Sequence, residues 1–321
     1  MEKIKLLTMA ALATAVFASC SNEDGLPQSN YPADNVVRIT TSVNGMNTRA
    51  SYGGSTAKLS SFGFCINNAG SDKYTYDNIK VTQENGKWNP ATQMLWQNST
   101  TAVDILAYAP YQANGNVKIF GKSDYAFSVK EDQSNAEDLI VFKQTGFTPG
   151  SELNTSKAVD VAFTHLLSQL NLTIELRDQF NQDEKKPVTE ATVTDVKVNG
   201  TIISSKVDFS ASPISVQVDD TQEATAITPE TTEFKAAGKT TDHAAFNYSA
   251  IVIPQTVTAG NFSISFKVDG TDYIWTSTSD VNFVSGNKHQ LSLLVGKDVV
   301  QVKGITATPW GKENITQGET D

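Results

Sequence analysis

The first chemically distinctive residue is Cys20, which ends an apolar segment near the start of the chain. Lys3 and Lys5 give a positive beginning, the apolar run 6–17 follows, and small residues lead into the cysteine. This order is typical of a secretory signal whose apolar core is too short to span a bilayer. We therefore predict that residues 1–19 are a bacterial lipoprotein signal peptide and that the Cys20 thiol accepts a diacylglycerol. An ordinary cleaved secretory signal is the alternative.

Arg49 is the second candidate for chemistry, because its neighbours favour recognition by a protease. The turn dipeptide Asn44-Gly45 precedes it, and small residues with Gly53 and Gly54 follow. Chain of this composition forms exposed loops, which a protease can bind in extended form. A solvated loop arginine without that role is the alternative interpretation.

The histidines do not form a recognisable catalytic or metal-binding pattern. His165, His243 and His289 are far apart in sequence, and none has a cysteine or carboxylate at metal-ligand spacing. The sequence also lacks a glycine-rich phosphate loop, a G-x-S-x-G nucleophile elbow and EF-hand spacing. We therefore predict a protein that is not an enzyme and that needs no cofactor or metal ion.

Three carboxylates and one histidine need separate consideration as an acid–base pair. Asp132, Glu137 and Asp138 lie close together in sequence, but a charged exposed loop explains them more simply. His165 is flanked by Phe163 and Leu166. We expect it to be an inward-facing histidine with a satisfied hydrogen bond rather than a general base.

Composition and length restrict the fold and the partners. The formal net charge is −10, which makes the chain a poor binder of nucleic acid. Cys65 is the only cysteine beyond Cys20, so no intrachain disulfide forms, and we expect Cys65 to be a small buried residue. About 300 mature residues is more than one core usually covers, so two domains are expected.

The elements that must position these residues are predicted to be short strands. In 35–43 every second residue from Val37 to Val43 faces one side, which indicates a half-buried strand. Similar segments recur at roughly ten-residue spacing with turn residues between them, which favours an all-β sandwich. Two exceptions are expected, namely one helical turn at 165–169 and a long exposed loop at 223–242.

These patterns divide the mature chain into a tether and two domains. The segment 20–34 has prolines, a glycine and little apolar content, so it is predicted to be a flexible tether. The N-terminal β-sandwich covers 35–160, and the C-terminal β-sandwich covers 161–321. The second domain ends with a terminal strand at 299–307, which Pro309 stops.

Several short motifs occur along the chain in a characteristic order. After the lipoprotein signal these are NTRA at 47–50, AYAPY at 107–111, DQS at 132–134, AFTHLLSQL at 162–170 and TPWG at 308–311. Together they resemble the fimbrillin family of Bacteroidetes pilins. The resemblance extends over nearly the whole mature chain, but it does not separate a stalk pilin from an accessory or tip pilin.

The resemblance implies a fold, a location and partners. The fold would be two transthyretin-like Greek-key β-sandwich domains in tandem, exported as an outer-membrane lipoprotein and assembled into adhesive cell-surface fimbriae. The partners would be other pilin subunits, a maturation protease, the outer membrane through lipid on Cys20, and a ligand on a host or bacterial surface.

The resemblance also implies a mechanism of assembly. An arginine-specific protease would cut between Arg49 and Ala50 and remove the strand 35–43. The buried residues of that strand would be Val37, Ile39 and Val43. A strand from another subunit would fill the groove, and by position the donor is 299–307. Its apolar residues would be Val300, Val302, Ile305 and Ala307, with a bulge at Gly304.

Two alternatives from other classes stay open. One is a surface lipoprotein that stays lipidated and binds glycans through Trp88, Trp96 and Tyr111, although a core role for these aromatics is favoured. The other is a secreted hydrolase on a β scaffold, for which the sequence offers no nucleophile in a recognisable setting.

Overall fold

The computed structural model describes residues 30–43, 46–47, 59–113, 118–134, 136–182, 187–239 and 242–310. Within these ranges there is one short α-helix, α1 (Pro149–Glu152), and the 3-10 turns are Asp72–Tyr74, Asp178–Phe180 and Glu190–Thr192. None of the helices in the described ranges has the length and apolar character needed to cross a lipid bilayer.

Strands dominate both halves of the chain. Those of the N-terminal half are β1 (Ile39–Val43), β2 (Met46–Asn47), β3 (Ser61–Asn67), β4 (Tyr76–Glu84), β5 (Lys87–Pro90), β6 (Val103–Ala109), β7 (Tyr125–Ser128), β8 (Ile140–Phe147) and β9 (Val159–His165). Those of the C-terminal half are β10 (Ser168–Leu176), β11 (Val193–Asn199), β12 (Ser204–Asp208), β13 (Ser215–Val218), β14 (Glu230–Lys235), β15 (Ala244–Val252), β16 (Gln255–Val257), β17 (Ser263–Val268), β18 (Thr271–Thr276), β19 (Val281–Phe283), β20 (Asn287–Gly296) and β21 (Val299–Pro309). The predicted all-β class is confirmed.

Residue alternation explains why these segments are strands. In β9 and β10 every second side chain is buried, because successive side chains of a strand point to opposite faces. In β6 almost every residue is buried. One face of β6, with Ile105 and Ala107, enters a first core, and the other face, with Leu106 and Tyr108, enters a second core.

The first core is closed by a sheet that folds over itself. The strand order is β2-β1-β9-β8-β6-β3-β4-β5. β8 and β9 share only the pairs Ile140↔His165 and Val141↔Thr164, so the sheet divides there. The β1–β9 part packs against β3, where the rings of Phe62 and Phe163 are 5.3 Å apart.

The second core lies between the sheet β14-β15-β10-β20-β21 and the smaller sheets β11-β17-β18 and β16-β19. A further sheet, β13-β12-β7, joins the halves, because β7 of the N-terminal half pairs with β12 of the C-terminal half. The ring centroids of Tyr108 on β6 and Tyr125 on β7 are 5.6 Å apart. Cys65 is fully buried in the second core, as predicted. The boundary near residue 160, the tandem domains and the Greek-key connections stay predictions.

Two local expectations were wrong. Residues 165–169 form no helical turn, because β9 ends at His165 and β10 begins at Ser168. The segment 223–242 is not all loop, because it contains β14, which pairs with β15. β14 is an edge strand with mostly exposed polar side chains, so its main-chain pairing leaves little hydrophobic signal in the sequence.

Lys143 ties the N-terminal half to the C-terminal half. Its Nζ donates to the carbonyl oxygens of Phe209, Ser210 and Ala211 at 2.8, 2.9 and 2.8 Å. Burial lowers the pKa of Lys143, but the three carbonyls satisfy all the donors of an ammonium group.

We expect Lys143→Met to lower the free energy of unfolding by about 2–3 kcal/mol, because hydrogen bonds to a charged group are lost. Urea denaturation measures the change. Lys87→Met, on the exposed face of β5, is the matched control and should change stability by less than about 0.5 kcal/mol. Equal losses of stability in the two variants would contradict a stabilising role for the Lys143 contacts.

Candidate functional site

The strand that the sequence marks for excision is held in the first core by two kinds of main-chain contact. β1 pairs in parallel with β9, from Ile39↔Val159 to Val43↔Phe163, and antiparallel with β2. Before β1, the N–H of Val37 donates to the carbonyl of Met94 at 3.0 Å. The segment therefore lies across one edge of β9 and continues beside residues 94–96.

Val37, Ile39 and Val43 all point into the first core and are buried there. Burying one such side chain is worth about 1.5–3 kcal/mol. These three residues therefore make the segment a large contributor to the stability of the first core.

Thr41 is the exception on the buried face of β1. Its side chain is buried, and its hydroxyl has no hydrogen-bond partner among the described residues. A buried polar group left unsatisfied costs about 1–3 kcal/mol. Thr41 is therefore a destabilising residue on the buried face of β1.

β21, at the predicted donor position, has the opposite character. Among the described strands it pairs only with β20, at the edge of the sheet, and nearly all of its residues are exposed. Val302 is 46% exposed and Ile305 is 43% exposed. Long edge strands with exposed apolar residues are rare in proteins that do not pair them.

The four predicted donor residues lie on one face of β21. Their cross-strand partners on β20 are buried, and directly opposite residues share a face of the sheet. The pairs are Val300↔Val295, Val302↔Leu293, Ile305↔Leu291 and Ala307↔His289. A register shift near Gly304 makes Lys303 the extra residue, and this bulge keeps all four side chains on the same side.

Polar contacts hold the outward face of β21. Lys303 donates to Glu175 on β10 at 2.6 Å, and Arg177 donates to Gln301. His243 also contacts Glu175 at 3.3 Å. Burial alone would raise the pKa of Glu175, but the hydrogen bonds from Lys303 and His243 outweigh it and lower that pKa. Ion pairs of this partly exposed kind contribute little.

A buried aromatic contact holds the C-terminal end of β21. The Trp310 indole stacks on the His165 imidazole, with ring centroids 3.8 Å apart and planes 3° apart. His165 Nδ1 is hydrogen-bonded to Asp138 Oδ2, so His165 is the inward-facing, satisfied histidine that was expected. The expectation for Asp138 was wrong, because this carboxylate is fully buried rather than in an exposed loop.

The Asp138–His165 pair resembles the orienting half of a hydrolase triad. The described residues provide no hydroxyl hydrogen-bonded to His165, and the indole covers one face of its ring. No group of three potential metal ligands occurs in the described part of the chain. The arrangement therefore serves as a platform for Trp310.

The aromatics considered for glycan binding do not form an exposed platform. Trp96 is buried and stacks on Phe147 at 5.7 Å. Trp88 packs on Phe62 at 5.0 Å, and Tyr111 is half-buried beneath the Lys80 ammonium group. The core role favoured for Trp88 and Trp96 agrees with these contacts.

Cys20, Arg49 and Ala50 lie outside the described residues. The excised and donor roles of 35–43 and 299–307 stay predictions. Sequence reasoning missed the buried hydroxyl of Thr41 and the Trp310–His165 stack. The TPWG and AFTHLLSQL motifs contain both stacked residues, so the signal was present without a reason to connect the two motifs.

His289, opposite Ala307 of β21, makes the stability of this region depend on pH. Burial lowers the pKa of His289 below its ordinary 6.5. Protonation would also cost the hydrogen bond that Nε2 accepts from the Val284 N–H at 3.1 Å. The unfolded chain therefore binds the proton more readily than the folded chain below pH 6.5.

We expect the free energy of unfolding to fall as the pH drops from 7.5 through 6.5 to 5.5, by about 1.4 kcal/mol for each unit by which the pKa is depressed. Urea denaturation at these three pH values measures the free energy of unfolding. His289→Gln should flatten the dependence, whereas His243→Gln, at a half-exposed site, should leave most of it. An unchanged slope in His289→Gln would refute this assignment.

Comparisons with known proteins agree with this architecture. A family model described as Fimbrillin-like matches residues 48–310. A candidate cell-adhesion protein from Bacteroides ovatus superposes with a TM-score of 0.61 at 14% identity, covering 88% of this chain and 100% of its own. Another from Bacteroides uniformis gives 0.56 at 20% identity, covering 87% and 99%.

A fimbrial protein from Bacteroides vulgatus gives a TM-score of 0.55 at 16% identity, covering 86% of this chain and 99% of its own. At these identities the likeness concerns the fold alone. A comparison with curated proteins found no match. The family model covers most of the chain, from just before Arg49 to Trp310. The chain therefore belongs to the fimbrillin-like family.

Proposed function

We propose that this protein is a structural subunit of cell-surface fimbriae that is assembled by excision of β1 and donation of β21. The observation that carries the proposal is the contrast between the two strands. The apolar residues of β1 are buried in the first core, whereas those of β21 form an exposed apolar face on an edge strand. Membership of the fimbrillin-like family supports the fimbrial part of the proposal.

The energetics favour replacement of β1 by another strand. Losing the burial of Val37, Ile39 and Val43 removes about 5–9 kcal/mol. A typical domain has a total stability of about 5–15 kcal/mol, so a subunit without β1 needs a substitute. Main-chain pairing along the freed edge of β9 would provide affinity, and the side-chain pattern would provide register.

The pattern of β21 fits the groove better than β1 does at one position. The segment 35–43 presents apolar side chains at Val37, Ile39 and Val43 to the groove and a hydroxyl at Thr41. The face of β21 has four apolar residues with the same alternation around its bulge. In either strand direction Ile305 or Val302 would replace Thr41 and would remove its unsatisfied hydroxyl.

The proposal includes the route to the cell surface. Cys20 would carry the lipid that holds the exported precursor at the outer membrane, and a protease would cut between Arg49 and Ala50. The family match begins at residue 48, which supports a mature chain that starts near this bond. The partners are then the protease and other pilin subunits, with a host or bacterial surface as the ligand of the fimbria. The proposal assigns the protein no catalytic role.

We expect Arg49→Ala to leave a lipidated precursor that does not enter fimbriae, because the groove of the first core stays filled by β1. Intact mass and N-terminal sequencing of the protein on the producing cells measure this. Arg38→Ala, at an exposed arginine of the same segment, is the control and should be processed to a start at Ala50. Fimbriae of normal length from Arg49→Ala would refute the proposal.

We expect the double variant Val302→Ser, Ile305→Ser to fold normally but to fail in polymerisation. The two residues are 46% and 43% exposed in the monomer, so each substitution should cost no more than about 1 kcal/mol. Denaturation of the precursor and electron microscopy of the processed protein give the two readouts. Gln301→Ser, on the opposite face of β21, should still polymerise. Polymerisation of the double variant at the normal rate would exclude β21 as the donor.

A further inference from the structure

The C-terminal end of β21 is held by a buried side chain, whereas the rest of the strand is held mainly by its ladder with β20. Val300 is half-buried, residues 301–309 are exposed, and Trp310 is only 8% exposed. The N–H of Trp310 donates to the carbonyl of Gly286 at 2.7 Å, and its indole lies flat on His165. The stack buries one face of each ring, so its contribution comes from the apolar area removed from water.

The platform under the indole is held in a fixed orientation. Asp138 is fully buried, burial raises the pKa of this carboxyl, and its Oδ2 is hydrogen-bonded to His165 Nδ1. The bond prevents the imidazole from turning edge-on to the indole. Nearby main-chain bonds, including Gly286 N–H to the carbonyl of Leu167 at 2.8 Å, keep the two chain segments together.

The same histidine is the last residue of β9, the strand that pairs with β1. Residues Val159–Phe163 of β9 pair with β1, and only Thr164 and His165 pair with β8. When β1 is absent, β9 retains only those two ladder pairs, at the end that carries His165. Loss of β1 therefore removes most of the main-chain support of the strand that positions the platform for Trp310.

We propose that Trp310, His165 and Asp138 form a terminal latch that retains β21 on its own domain while β1 is present. Trp310 is the positioning residue of the latch, and β9 connects the latch to β1. The latch keeps the apolar face of β21 from pairing with other chains before maturation, and loosening of β9 releases it. Its role in assembly rests on the proposed function, but its coupling to β1 is a property of the single chain.

Hydrogen exchange on the intact precursor, which includes β1, tests the latch without any polymerisation. We expect Trp310→Ala to speed amide exchange in β21 by about tenfold or more, while the amides of β10 stay protected. Trp310→Phe keeps an aromatic ring on His165 and should stay within about threefold of the parent. Phe234→Ala, which removes a partly buried ring of β14 at the opposite edge of the same sheet, is the control and should leave β21 exchange unchanged.

The coupling is tested by weakening β1 inside the same intact chain. Ile39→Ala removes a contact of β1, and Val81→Ala removes a buried side chain of the same core on β4, away from β9. We expect Ile39→Ala to speed β21 exchange by about threefold or more and Val81→Ala to leave it unchanged. In the Trp310→Ala background, Ile39→Ala should add little, because the latch is already open.

Each result decides the question. Unchanged β21 exchange in Trp310→Ala, equal effects of Ile39→Ala and Val81→Ala, or effects of Ile39→Ala and Trp310→Ala that simply multiply would overturn the latch. If Trp310→Ala also unprotects β10, the Trp310→Phe and Ile39→Ala comparisons still give the answer. The proposed function fails separately, through normal polymerisation of the Val302→Ser, Ile305→Ser variant, which leaves the exchange results unaffected.

Discussion

The parallel pairing of β1 with β9 is the interaction on which the rest of this structure depends. It places Ile39 and Val43 in the first core, where Phe163 of β9 meets Phe62 of β3. Val37, just before β1, is held in the same core by the bond from its N–H to the Met94 carbonyl. β9 has few other main-chain partners, because the sheet divides between β8 and β9. A single short segment therefore closes the core of the N-terminal half and supports the strand that leads into the C-terminal half.

The two halves are connected by more than that one strand. β6 contributes side chains to both cores, β7 and β12 form one sheet from opposite halves, and Lys143 binds a loop of the C-terminal half. Removal of β1 would thus disturb a core whose packing continues into the C-terminal half. Close-packed interiors transmit strain rather than absorb it, which makes an effect at Trp310 physically reasonable.

β1 and β21 have opposite patterns of side-chain burial. β1 is buried yet imperfect, since the Thr41 hydroxyl has no partner among the described residues. β21 is well paired along one edge yet leaves its apolar face open, and its one buried side-chain contact in the described chain is that of the adjacent Trp310 with His165. The proposed strand exchange would need this combination, because a strand that is removed must be replaceable and a strand that is donated must gain burial.

The sequence by itself determined the all-β class, the burial of Cys65 and the inward position of His165. Each follows from a local pattern, because strand alternation and apolar neighbours are visible within a few residues. It also marked 35–43 and 299–307 as strands of interest through the family resemblance. The edge strand β14 was not predicted, because an exposed polar strand has no hydrophobic periodicity to detect.

Only the tertiary structure decided which distant residues meet. Asp138, His165 and Trp310 come from three segments, and nothing in their local sequence predicts the stack or the burial of the carboxylate. The Thr41 hydroxyl has no hydrogen-bond partner among the described residues, and the apolar side chains of β21 are exposed. Both features likewise depend on packing across strands. The local sequence pattern specifies which side chains point inward, whereas the arrangement of the sheets specifies which residues they contact.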